Sequence, residues 1–570
     1  MRKIANLPKQ PFPQTDVVTK VVPAPTDGWD ALSPLALMDP KRAPILTNWT
    51  PRPGWVELRA GTQPWANTSN TSSPVETLMV WRGPSTALEI MFAAVNDKIY
   101  NVSTQYAPTL TASGFTNNRW QYVNFGVSLG GTYLMAVNGS DRLQYFDGTT
   151  WSAEGTTYTI TFGGALAGYT SANISNIYAQ KQRVWFMLNN PSGQPTSYIG
   201  YLGTQAIQGA VTAFDLGALF TKGGYIVAMA DWTIDGGSGP NDYACFISSK
   251  GQLAVFQGTD PSSASTWALV GVFNLPPPIG RRCFTSVGSD VAVITLQGVL
   301  PLSSALPFDP SADRSVAITS RIQNQMATWA NSYSSNFGWQ VISYPLQQLL
   351  ILNVPTATNS TAVQGVMNSL TGAWAQYTGW NANCFEIFNN NLYWGDNFGN
   401  VMQAYLGSVD VVAVTSSSAA ANPIAADMQC AFNYFDDPGR IKRMTMVQPL
   451  LTASGNITPT LGVDADFATS TFSAPVTTFT GGSLWDVAIW DVNTWPSGAT
   501  NIISWLSVEV LGHALAIHMK VNFGGGVTTA NGVFDIGTFD SATFDSGIGT
   551  TAPILYVNAF NAVLELGGFI

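Results

Sequence analysis

Charge is the scarcest feature of this 570-residue sequence: only 10% of positions are Asp, Glu, Lys or Arg, where roughly 25% is usual for a soluble domain. A lone soluble monomer keeps more charge than this for solubility. A surface built instead from Ser, Thr, Asn, Gln and Gly suits a chain whose faces are covered by neighbours, or else a charge-poor secreted β protein. Histidine is nearly absent, with only two residues, His513 and His518. On a strand their odd separation sends them to opposite faces, so they do not form a metal pair, and imidazole chemistry has little to work with. The four cysteines, at 245, 283, 384 and 430, form no CxxC and have no nearby His. That argues against a disulfide framework, which needs far denser Cys in a far shorter chain, and predicts buried thiols. No apolar run reaches the length of a membrane span, and Met-Arg-Lys-Ile-Ala-Asn-Leu-Pro carries no signal-peptide core. Synthesis in a cytoplasm without Sec export is the expectation. No GxSxG, P-loop, GxGxxG or HExxH occurs. No catalytic residue, metal or cofactor is therefore expected, and the chain is not expected to be an enzyme.

What charge there is leans acidic, at −10 overall. Phosphate binding needs clustered Lys and Arg, so specific nucleic-acid binding is disfavoured. The basic clusters are short: Lys41-Arg42, Arg281-Arg282 and Arg440-Ile441-Lys442-Arg443. They read as exposed strand faces or subunit contacts.

Proline crowds residues 1–60. It removes ladder donors and breaks helices, which predicts an extended arm over 1–74 that contributes to another domain. From 75 to 407 a hairpin recurs, with second strands starting at Asp97, Asp141, Ser197, Gly251, Gln297, Gln364 and Gly399. The spacings, 44, 56, 54, 46, 67 and 35 residues, scatter around the length of a four-stranded propeller blade. A blade cannot cover its own apolar face, so stacking around an axis follows; a long β-sandwich meander is the competing architecture. Residues 312–334 break the pattern. Ile318, Ile322, Met326, Trp329 and Tyr333 recur at helical steps, predicting a core-facing helical brace. SVDVVAVTSSSAAANP, from 408, reads as a linker, and the alternating segments beyond it predict a separate β-sandwich-like platform domain over 409–570. The expected fold is mainly β: an irregular six- or seven-bladed β-propeller, a C-terminal β-sandwich-like platform and one short inserted helix.

Candidate sites are few. Asp464 and Asp466 could share a strand face and Asp436 and Asp437 a turn; a solvated pair is the ordinary form, and two acids flanking a glycosidic bond or holding Ca²⁺ the chemical one. DGTTW, DPSSASTW and TGAW place Trp151, Trp267 and Trp374 after small-residue turns. These loosely echo the aspartate-box turns of sialidase blades and read as hairpin corners capped by an aromatic. A sialidase would also need an arginine triad to grip a carboxylate. Near the C-terminus, Phe-Asp repeats at a step of five give an acidic ladder of Asp535, Asp540 and Asp545, a candidate for channel or tip residues. Arg440, Lys442 and Arg443 are candidates for subunit or adaptor contacts.

Four segments carry a resemblance: GWDALSPLALMDPKRAPILTNWTPRPGWVELRAGTQPWA (28–66), VETLMVWRGPSTALEIMFAAVNDKIYNVS (75–103), QGVMNSLTGAWAQYTGWNANCFEIFNNNLYWGDNFGNVMQAY (364–405) and FNYFDDPGRIKRMTMVQPLL (432–451). Together they resemble the tail nozzle proteins of podoviruses, also called tail tubular or stabilisation proteins. The resemblance implies a virion structural protein of a bacteriophage tail. It would form a homo-oligomeric ring, six copies in the usual case, below the portal and its adaptor ring at the head–tail connector. Fibres or spikes would dock on it, and genomic DNA would pass through its lumen during ejection without specific binding. Acidic walls suit that passage, because they repel phosphate. A carbohydrate-binding or sialidase-like depolymerase propeller is the alternative.

Overall fold

The computed structural model describes residues 16–569, apart from 70–72, 86–87, 129, 236–239, 307–313, 416–417, 454–456, 458, 475, 478–499, 525 and 530–553. The chain is mainly β, and seven small sheets stand around one axis. Blades one and two comprise Val75–Trp81, Ile90–Val95, Lys98–Asn101 and Thr109–Ser113, then Gln121–Val127, Gly131–Val137, Gln144–Phe146 and Trp151–Ala153. Blade three runs from Ile174–Gln180 to Gly209–Asp215, with Ile160–Phe162 added in parallel, and blade four from Ile226–Asp235 to Trp267–Asn274. Blade five has three strands, Phe284–Val287, Asp290–Thr295 and Gly298–Pro301. Blade six spans Gln340–Tyr344 to Trp374–Tyr377, and blade seven starts with Cys384–Phe388, Asn391–Gly395 and Asn400–Ala404.

Six of the seven hairpins expected from the sequence are the middle strands of these blades, and the seventh, Asp290–Thr295 with Gly298–Pro301, is the last two strands of three-stranded blade five. Those strands are the most legible because a blade is covered on both faces: Ile90–Val95 is buried at every position but its first, and Arg183–Asn189 at every position but its two ends, the continuous apolar pattern of a doubly covered strand. The first strands of successive blades pack side by side, and the ring closes where Cys384–Phe388 meets Val75–Trp81. There the Cys384 thiol points at the Val75 carbonyl. All four cysteines are buried thiols, as expected; burial pushes those of Cys283, Cys384 and Cys430 up to about 12.

The expected aromatic corners are present. Trp151, Trp267 and Trp374 each open the outermost strand of a blade. In each turn a side-chain oxygen, from Asp147, Asp260 or Asn368, accepts backbone N–H groups two or three residues on. This is the Asx-turn, which satisfies donors a tight turn would otherwise strand.

The helix is shorter than the apolar stripe suggested, Gln323–Tyr333. Upstream, the Ile318 N–H donates to the Val299 carbonyl and the Thr319 hydroxyl accepts from the Val299 N–H. Those bonds hold 317–322 against blade five in place of a fourth strand. The helix buries Met326, Trp329 and Ala330 between blades five and six, the core-facing role its stripe predicts.

Two expectations about the rest need correction. The segment read as a linker forms strands Asp410–Thr415 and Ser418–Asn422. Its alternating valines fit a pleated surface, and the outer edge of blade seven supplies the template. Nor is the region after 409 separate. Blade seven takes its fourth strand, Thr62–Asn67, from the arm, and the same sheet runs on through Asp410–Thr415, Ser418–Asn422 and Gly526–Thr529. Blade six likewise continues through Ile45–Thr47, Ile424–Gln429, Leu515–Phe523 and Thr460–Ala465. A further sheet joins both ends of the chain: Asp16–Pro23 pairs with Leu555–Phe569, which pairs in turn with Arg440–Ala453 and Trp55–Leu58. Its inner residues, among them Met444, Val447, Phe560 and Leu564, share one core with Leu46, Met428, Ile517 and Met519 of the blade-six extension. That shared core makes the platform a sandwich.

Candidate functional site

The join between propeller and platform is organised by Arg59, which is 1% exposed. Its five N–H donors are all used. Nε donates to Asn48 Oδ1 at 2.8 Å, and Nη1 and Nη2 reach both oxygens of Asp410 at 2.9 and 2.6 Å. The remaining two donate to the carbonyls of Ala60 and Thr378, and the guanidinium lies over the Trp380 ring at 5.3 Å. Bidentate geometry with full donor satisfaction is what a buried ion pair requires to be tolerated. The Asp410 charge holds the Arg59 proton even more firmly than usual, overcoming the desolvation that opposes it. Beside it, Gly61 lies so close to the Val409 carbonyl that a Cβ would sit 2.0 Å from that oxygen.

Of the expected contact residues, Lys442 requires correction. It is fully buried, and its ammonium donates to the carbonyls of Asp437, Arg440 at 2.9 Å and His513 at 3.0 Å. Three carbonyls use its three protons, leaving none for another chain. Arg440 pairs locally with Asp437 at 3.7 Å, and Arg443, 42% exposed, lies 3.3 Å from both Glu509 and Glu565. Asp535, Asp540 and Asp545 lie outside the described residues.

The acid pairs separate. Asp436 faces Lys20 at 3.0 Å and Asp437 faces Arg440. Asp466 turns the chain and accepts the N–H groups of His513 and Ala514. Asp464 is buried, not solvated, and bonds His518 Nδ1 at 2.8 Å, while Asp427 bonds Nε2 at 2.7 Å. His518 is thus a buried structural residue clamped between two strands. Its partners come from 54 and 91 positions away, which spacing along one strand could not reveal.

Two cavities lie where the innermost strands of the blades converge. Thr77, Tyr122, Asn176, Met229, Gln340 and Glu386, from the innermost strands of six blades, line an inner space of about 250 Å³ together with Arg282. At ~30 Å³ per water that is a space on the scale of a few waters. Arg282 Nη2 donates to Thr77 Oγ1 at 2.8 Å and to the Glu76 and Trp120 carbonyls at 3.3 and 3.2 Å, tying blades one and two together. Tyr122 donates to Glu386 at 2.7 Å. Burial pushes both groups up, Tyr122 well above the phenol range with the Glu386 charge reinforcing the shift.

A wider cavity of about 720 Å³ adjoins it and shares Gln121, Arg281 and Arg282 with it. Phe337, on the turn after the helix, projects into this mouth. The Arg119 and Arg282 guanidinium groups lie over its ring at 4.5 and 5.2 Å. Arg281-Arg282 is therefore an axial pair, not the exposed strand face or subunit contact expected. Arg119, from the turn before blade two, joins the pair only through the closure of the ring.

No protein-family model and no curated protein matches the chain. Among solved structures it is similar to BBS1N, crystallised in complex with ARL6DN, at 11% identity and a TM-score of 0.34, covering 63% of this chain and 99% of that one. It is also similar to the β-propeller domain of Cps50 (Swd1) from Myceliophteria thermophila, at 11% identity and a TM-score of 0.36, covering 61% and 99%. A third is the extracellular domain of the one component system BT4673 from B. thetaiotaomicron, at 9% identity and a TM-score of 0.38, covering 70% of this chain and 55% of that one. Likeness at this level assigns no function, and the propeller description above rests on this chain's own sheets.

Proposed function

We propose that this protein is a structural subunit of a bacteriophage tail nozzle, assembling as a ring below the portal and adaptor. The observation that supports this reading most is the weave: arm, propeller and C-terminal region share continuous sheets, a construction suited to a static part under load. The outer face of the terminal sheet adds to it, exposing Val17, Val21, Met446 and Leu511. In a charge-poor chain such a surface suits cover by sister copies. The lumen would lie between subunits, and DNA would slide past without specific binding. The depolymerase alternative finds less support. At the axial mouth Glu76 is already paired with Arg119 at 3.0 Å, and Tyr122 is held protonated. Labelling purified virions with antibody against this chain tests the proposal: label at the tail is expected, and virions that lack the polypeptide overturn it.

A further inference from the structure

We infer that the axial mouth of the propeller is a binding site for a small carboxylate-bearing sugar, of the uronic-acid or sialic-acid class. This goes beyond the structural role and does not depend on it. The mouth concentrates Arg119, Arg281 and Arg282 in a chain that is acidic overall. Glu76 is the one carboxylate among its lining residues and is engaged by Arg119. Neither Arg281 nor Arg282 has a carboxylate within ion-pair distance among the described residues. The Arg281 guanidinium makes one bond, to the Ser175 carbonyl at 3.2 Å, which leaves donors facing the cavity. The Arg119 and Arg282 guanidinium groups share the Phe337 ring with Glu76, bonded to Arg119, as the one carboxylate of the lining, and an anion between the arginines offsets their remaining repulsion. Burial lowers the proton affinity of both Arg281 and Arg282, while the Glu386 and Glu76 charges act the other way on Arg282.

The remaining lining favours a sugar over a bare anion. Asn117, Asn336 and Asn359 also line the cavity, each with one amide bond inside the protein; their second amide protons, and the buried Asn359 Oδ1 that has no partner among the described residues, can match hydroxyl groups. A planar guanidinium grips a carboxylate in bidentate fashion. The volume, about 720 Å³, lies within the range of small-molecule sites. Gly139 contributes by its shape: at φ +78° it brings the Asn138–Ser140 turn against Arg281, whose Nη1 would be 3.3 Å from an added Cβ.

Calorimetric titration of the full chain with N-acetylneuraminate and with glucuronate tests this, with glucose and inorganic phosphate as comparators. At least one acidic sugar is expected to bind, with glucose at least tenfold weaker and affinity falling as salt rises. Arg281→Gln and, independently, Arg119→Gln should each weaken binding about tenfold while leaving the thermal melt in place. If one variant does not fold, the other carries the comparison. Binding of neither acidic sugar, equal binding of glucose, binding of phosphate alone, or affinity unchanged in both folded variants would overturn the assignment.

Discussion

Blades one to four and blades six and seven solve the same problem by opposite means. Each of blades one to four is a closed set of strands drawn from one stretch of chain, and its pairings are local. Blades six and seven borrow strands from the arm and pass their sheets on into the platform. Local pairing costs little loop-closure entropy and produces a repeat that can be read along the sequence. Non-local pairing costs more, but it removes the free edges a propeller would otherwise leave at its seam. The contrast teaches that the early blades supply the disc and the late blades supply its attachment.

That contrast can be broken most severely by deleting residues 1–67. The deletion removes the outer strand of blade seven together with Arg59, and soluble, cooperatively folding protein should be lost; a truncated chain with an intact melting transition would show that the seam closes without the arm. Next in size is Arg59→Ala, which leaves Asp410 buried without its partner. A loss of about 3–5 kcal/mol is expected for breaking such a pair, read by denaturant titration. Trp185→Ala, between blades three and four where Trp185 stacks on Trp267 at 5.7 Å, should cost a similar or slightly smaller amount, about 3–4 kcal/mol. Its effect should centre on blades three and four, so hydrogen exchange would quicken there before it does in the platform. Asp147→Ala removes only an Asx-turn in blade two, and about 1 kcal/mol is expected.

The smallest effect is a pH dependence at the axis. Burial raises the Glu386 carboxyl above its ordinary value of 4.5. The folded state therefore disfavours the ionised form, and the penalty appears above the unfolded value and vanishes as pH falls below it. Glu386→Gln, which can still accept from Tyr122, should be slightly more stable than the parent at pH 7 and no more stable at pH 4. Equal stability of the two proteins at both pH values would remove desolvation as the cause.

The same contrast explains what was legible beforehand. The seven hairpins could be read because their strands are buried on both faces and joined by tight turns. Thr62–Asn67 could not, because Pro64 argues against a strand; the structure accommodates it at a register shift opposite Val401 and Met402, where a missing donor is tolerated. Pro51 likewise lies on an edge strand. The polar constellations were hidden for a related reason. Arg59 with Asp410, His518 with Asp427 and Asp464, and Arg119 with Arg281-Arg282 join residues far apart in the sequence that only the non-local strand pairing and, for the arginines, the closed ring bring together. The cysteines and the aromatic corners were legible because each depends on burial or on its own turn.

Electron cryomicroscopy of intact tails measures the central claim directly. The account predicts copies of a seven-bladed disc fused to its platform, arranged around a lumen, with DNA density between the copies and none along any propeller axis. A tail without this fold, or DNA threaded through the propeller itself, would contradict it.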